Sequence, residues 1–163
     1  MAANDEIFEV RLRINDPPGF IDFEAVANSA ALPSSPSPQT AYKLEDTGAY
    51  VSTDKTSGAT ESDYEIETLR ISDVRISGWI DAGGIDYATC KALSNIIQQL
   101  GAELRIKKSN AGAEDLEWNS LKDTYEYYKG LYEQCKDNTQ SNNNNSTGKW
   151  GGSKQPETAG GNI

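Results

Sequence analysis

Histidine is absent from this chain. That removes the side chain that titrates nearest neutral pH, the usual base of a catalytic triad and the commonest metal ligand. Cysteine is scarce, with Cys90 and Cys135 alone, and neither a CxxC pair nor any other metal-ligand spacing occurs. Each cysteine falls in a separate apolar helical pattern, so two buried thiols are preferred to a disulfide. No stretch approaches the roughly 18 apolar residues of a membrane span, and the start "MAANDEIFEV" lacks the apolar run of a signal peptide. A soluble protein made in a cytoplasm is expected. Basic residues are also few, 15 Lys and Arg against 25 Asp and Glu, for a formal charge of −10. This argues against a surface that grips phosphates, yet is compatible with one that DNA slides past. With 36% hydrophobic residues in 163, the chain suits one domain plus appendages outside its core.

The stretch "EIFEVRLRIND" carries two periodicities. Val10, Leu12 and Ile14 alternate with Arg11 and Arg13 as in a strand, while Ile7, Val10, Arg11 and Ile14 share one helical face. Pro17, Pro18 and Gly19 end the element in either case. Residues 28–40, dense in Ser and Pro, read as an irregular connector. The flanks of "EDTG" predict a β-hairpin over 41–52, and "YEIETL" at 64–69 a third strand.

From Ser72, a candidate N-cap, the pattern turns helical, with Asp73 in the first turn, Ile76, Trp79 and Ile80 on one face, and Gly83-Gly84 as the stop. A second helix, with Asp86 as candidate cap, carries Leu93, Ile96, Ile97, Leu100 and Leu104 at helical spacing. A third is predicted from about Leu116 to Asp137. In it Trp118, Leu121, Tyr125, Tyr128, Tyr132 and Cys135 form a heptad seam suited to packing along a neighbouring helix or subunit. Gly130, costly in mid-helix, suggests close approach of another backbone. The two long helices, joined by "KKSNAGAED", suit an antiparallel hairpin.

Nothing catalytic stands out. "DAGG" at 81–84 and "AGG" at 159–161 lack the pattern and preceding strand of a phosphate loop. No two carboxylates can be singled out as an acid–base pair. No cofactor is expected, and the chain is read as a non-enzyme. The tail is different: Trp150, Pro156 and Ile163, set among Gly151, Gly152, Gly160 and Gly161, are spaced like anchors in an otherwise polar arm. Its backbone suits addition to the sheet edge of a partner.

In order, "EVRLRINDPPG", an inserted β-element, "ISDVRISGWIDAGGIDYATCKALSNIIQQLGAEL", an aromatic helix ending "YYKGLYEQ" and a tail with "TGKWGG" and "PETAGG" resemble the head-to-tail connector, or adaptor, proteins of tailed bacteriophages. The resemblance covers about two-thirds of the chain and is one of layout. The longer Ser/Pro segment and hairpin over 28–69 depart from the usual short connectors. It implies a mainly α protein: a helical bundle over 1–137 with a β-element inserted at about 41–69, and an extended arm over 138–163. It further implies that "EVRLRIND" is helical. The implied role is structural, in the virion neck. Copies would form a ring, commonly twelve-fold, beneath the portal protein and above a tail-side neck or stopper protein, with DNA passing through the channel unbound and no membrane involved. A stopper or tail-completion protein of the same neck shares this chemistry. The rival class is an acidic regulatory or inhibitor protein that mimics nucleic acid.

Overall fold

The segment whose periodicity fits either strand or helix is a helix, α1 (Asn4–Ile14). It starts where the Ala3 N–H donates to Glu6 Oε2 at 3.0 Å, which satisfies one of the donors that a first turn leaves unpaired. Asp5 and Glu6 in the first turn and Arg11 and Arg13 in the last suit the helix dipole. Asn15, left-handed at φ 49, closes the helix just before a cis Asp16–Pro17 bond. Ile7, Val10 and Ile14 are buried with Arg11 among them, while Leu12 faces outward. The strand-like alternation thus has no structural counterpart.

A computed structural model describes residues 1–110 and 116–147. These residues are mostly helical, with three α-helices and one small four-stranded sheet among them. Strands β1 (Asp22–Val26), β2 (Thr40–Leu44), β3 (Tyr50–Ser52) and β4 (Glu65–Ile66) lie in that order. The predicted hairpin is β2–β3, with Tyr42 opposite Val51 and Lys43 opposite Tyr50. The predicted third strand is β4, antiparallel to β3 and only two residues long. Strand β1 was not anticipated: it runs parallel to β2, from Asp22 opposite Thr40 to Val26 opposite Leu44. The β-element therefore begins well before residue 41. Only Phe23 of β1 is buried, which leaves no alternation to read. The Ser/Pro connector is the crossover between these parallel strands. It is pinned to the sheet where Ser37 N–H donates to the Tyr42 hydroxyl at 3.1 Å and the Tyr64 hydroxyl donates to the Pro33 carbonyl at 2.6 Å.

Helix α2 (Asp73–Asn110) follows Ser72, whose carbonyl accepts from the Arg75 and Ile76 amides. It is two arms rather than one rod. At Gly84 the backbone takes φ 80 and ψ −177, a conformation that glycine alone adopts easily. Arg75 Nη1 lies 3.4 Å from Asn95 Oδ1, and Arg70 pairs with Glu103 at 3.6 Å. In an unbroken helix residues twenty apart are separated by about 30 Å, so the arms must fold back side by side. Gly83-Gly84 is the expected stop. Asp86, a candidate cap, pairs with Arg13 at 2.6 Å.

Helix α3 (Leu116–Thr147) then packs on the second arm of α2. Lys107 meets Glu117 at 2.9 Å, a Cβ at Gly101 would lie 3.6 Å from the Tyr125 ring, and Cys90 is disulfide-bonded to Cys135. These positions descend along α2 as they rise along α3, so the two run antiparallel. Ile7, Val10, Ile14, Ile76, Ile80, Leu93, Ile96, Leu100 and Tyr128 form one core shared by all three helices.

Three expectations are corrected here. The cysteines form a disulfide rather than two buried thiols, because their separate patterns in sequence meet at one level of adjacent antiparallel helices, with Cα atoms 5.7 Å apart. Helix α3 does not stop at Asp137 but runs to Thr147, ten residues into the segment expected to be extended. A helix already nucleated and packed adds Asn and Ser residues at a cost of only about 0.5 kcal/mol each. Among the described residues of the protomer no backbone approaches Gly130: a Cβ there would meet nothing within 4 Å.

Candidate functional site

Two features stand apart from ordinary packing: a buried ionic node that joins the sheet to the helices, and the far end of α3. The node starts from Arg11, which α1 presents on its apolar side with no exposed surface. A buried guanidinium is tolerable only when paired and fully hydrogen-bonded. Its Nε and Nη2 donate to Asp73 Oδ1 at 3.0 and 2.5 Å, Nη2 also to the Ile71 carbonyl at 2.9 Å, and Nη1 to Asp16 Oδ2 at 3.3 Å. Asp16 in turn accepts the Arg70 and Ile71 amides at 2.9 and 3.0 Å, which ties the end of α1 to the approach to α2.

The sheet enters through Tyr50 and Lys43. The Tyr50 hydroxyl donates to Asp73 at 3.0 Å and its ring lies 4.7 Å under the Arg11 guanidinium; Lys43 Nζ sits 2.7 Å from Asp73 Oδ2. Asp73, placed in the first turn of α2 where a helix favours a carboxylate, thus collects contacts from α1, β2 and β3.

Electrostatics bias the charge states of Asp73, Arg11 and Tyr50. Burial opposes the charge on Asp73, but the hydrogen bond from Lys43 and the field of Arg11 outweigh it and lower its pKa below the usual carboxylate value. Burial likewise opposes the Arg11 charge, and Tyr50 and Asp73 overcome it, so its pKa rises. Burial pushes the Tyr50 hydroxyl far above its ordinary value, with Arg11 pulling against it. Near neutral pH Asp73 and Arg11 are therefore charged and Tyr50 keeps its proton. Among the described residues no buried side-chain polar atom lacks a partner, and no group of His, Cys, Asp and Glu is arranged to hold a metal ion. No helix among them is long and apolar enough to cross a membrane.

The predicted seam residues divide. Tyr128 is buried and its hydroxyl donates to the Asn15 carbonyl at 3.0 Å, while burial, the largest cause, and then Asp16 push its pKa up to about 12. Leu121, Tyr125, Tyr132 and Cys135 pack half-buried against the same core. Trp118 is half-buried with Lys122 over its ring at 5.5 Å. The exposed aromatic of this helix is Tyr127, off the seam. The tail residues Trp150, Gly151, Gly152, Pro156, Gly160, Gly161 and Ile163 lie outside the described residues.

The node was missed in sequence, although one signal pointed to it. An arginine on the apolar face of an amphipathic helix requires a buried carboxylate somewhere. The chain gives no sign of which of its 25 acids supplies it.

The end of α3 is the second feature. The Cys135 disulfide beside Asp86 ties α3 to α2, and the helix continues twelve residues further to Thr147, about 18 Å. Comparison with protein-family models, with curated proteins and with solved structures finds no match for this chain.

Proposed function

We propose that the chain is a structural virion protein: a head-to-tail connector, or adaptor, whose helical-bundle protomer forms a ring under the portal of a tailed bacteriophage. The ring would link capsid to tail and continue the DNA channel, with the carboxyl-terminal arm docked on the portal or on a neighbouring subunit. The observation that carries the reading is α3, which runs on past its disulfide tie to α2 and leads directly into the segment bearing Trp150. An indole left in water would forgo roughly 2 to 3 kcal/mol of burial, so a surface that receives it is expected. Head-to-tail contacts that close make rings, and a mostly helical protomer with a lateral sheet offers two unlike faces for them. An acidic chain also lines a channel from which DNA must slide freely.

Deleting residues 138–163 is expected to leave a folded monomer that no longer binds purified portal rings in a pull-down. Unchanged binding would remove the basis of this reading.

The exposed carboxylates around the sheet, among them Asp22, Glu24, Glu45 and Asp46, favour a second reading: an acidic inhibitor that imitates nucleic acid. A compact monomer by light scattering, indifferent to portal but bound to a basic nuclease, would replace the connector reading with this one.

A further inference from the structure

The Cys90–Cys135 bridge stands where the apolar part of α3 ends. Leu131, Tyr132 and Cys135 pack half-buried against the core shared by the helices, whereas residues 136–147 contain no apolar side chain. Residues 138–147 are all Asn, Ser, Thr or Gln, most of them poor helix formers that persist only as the continuation of a helix already fixed. About two turns before the bridge, Tyr128 is buried and bonded to the Asn15 carbonyl at 3.0 Å, an anchor that does not depend on the sulfurs.

The bridge also lies within reach of solvent. Both cysteines are half-buried rather than enclosed. The Cys135 sulfur is 3.8 Å from the carbonyl of Asp86, whose side chain is 71% exposed in its ion pair with Arg13. Tyr87 and Lys91, on either side of Cys90, are exposed as well. The chain holds no third cysteine, so a thiol that exchanges with the bridge must come from outside it.

We infer that this bridge is a redox latch on the end of α3: a low-molecular-weight thiol opens it in the folded protein, and opening releases the helix beyond Tyr128 while the rest of the core stays in place. The thiolate of the small thiol attacks one sulfur, the S–S bond breaks, and the other cysteine leaves as a thiolate that takes up a proton. A second small thiol then displaces the first. Two cysteine thiols and one small disulfide are formed, with both electrons supplied by the small thiols, and a small disulfide reverses both steps. Closed, the latch holds the last apolar turn of α3 at one level of α2, and the polar turns continue from it. Open, that turn depends on the half-buried packing of Leu131 and Tyr132. Reducing and oxidising surroundings thus give the helix end two different states. The inference rests on neither function proposed above.

The test places the oxidised full-length chain in glutathione buffers without denaturant, traps thiols by alkylation and follows amide exchange by mass spectrometry. In reduced glutathione both Cys90 and Cys135 should become alkylated, with exchange at residues 131–137 faster by roughly tenfold or more and α1 and β2 unchanged. Oxidised glutathione should restore the protection. C90S/C135S should exchange like the reduced chain in both buffers. A bridge that reacts only in denaturant, an opened bridge with unchanged exchange at 131–137, or loosening that spreads equally to α1 would each overturn the inference. A response of C90S/C135S to the buffer would do so too.

Discussion

The junction of α1, the sheet and the start of α2 is held by charge, whereas the pair formed by α3 and the second arm of α2 is held by an aromatic seam and one covalent bond. At the junction Arg11, Asp16, Asp73, Lys43 and Tyr50 meet within hydrogen-bonding distance from four elements and the turn after α1. Along α3 the contacts include the exposed Lys107–Glu117 pair, Tyr125 at Gly101, Tyr128 in the core and the Cys90–Cys135 bridge. A buried ionic node tolerates only one arrangement, because each displaced partner leaves an unpaired charge. A helical seam tolerates sliding and fraying, and a disulfide fixes it at one level.

The sharpest way to break this contrast is Arg11→Met. It strands Asp16 in the interior, leaves Asp73 to Lys43 and Tyr50 alone, and is expected to cost about 3 to 5 kcal/mol, read as a lower urea midpoint with loss of both sheet and helix signals together. A loss below about 1 kcal/mol would mean that the node is no more than packing.

Replacing both cysteines by serine comes next, with an expected loss of about 2 to 4 kcal/mol from releasing the loop between Cys90 and Cys135. Hydrogen exchange should rise in α3 beyond Tyr128 and stay unchanged in α1 and β1–β3. Equal loosening of the junction would show that the two regions are one cooperative unit.

Acid separates the regions by a different route. The pKa of Asp73 is lower folded than unfolded, so its contribution is fully present above about pH 4 and is lost as pH falls through the lower, folded value. Asp63, half-buried and held at about 2 first by Lys55 and then by Thr60, is a second carboxylate with a lowered pKa but lies outside the node. Asp73→Asn is therefore compared with Asp63→Asn. The first should flatten the fall in stability below pH 4 and the second should leave most of it, as followed by urea unfolding at pH 2 to 6.

How much of this was legible differs between the same two regions. The helical arms, the Gly83-Gly84 stop, the hairpin and the seam follow from local spacing, since Leu93, Ile96 and Leu100 or Tyr125, Tyr128 and Tyr132 each lie within one helix. The periodicity of α1 fitted two structures, and only the resemblance favoured helix. The node, the parallel pairing of β1 with β2 and the disulfide join residues 18 to 62 positions apart. Pairings at such separations leave no trace in periodicity. The end of α3 escaped because Asn-rich composition argues for an extended chain, while continuation from a packed helix costs little per residue.

The smallest expected effect bears most directly on assembly. Gly130 sits in mid-helix, exposed, with open space where a Cβ would be. Gly130→Ala is therefore expected to raise stability by up to about 1 kcal/mol, measured by urea unfolding of the isolated chain. An exposed helix that gained stability so readily would retain glycine for a reason outside the protomer. If a neighbouring subunit packs there, the same substitution raises the unfolding midpoint and weakens ring formation, a pair of opposite signs that no effect within the protomer produces. Stabilisation with unaltered ring formation would instead leave this part of α3 facing solvent in the assembly and restrict subunit contacts to other faces.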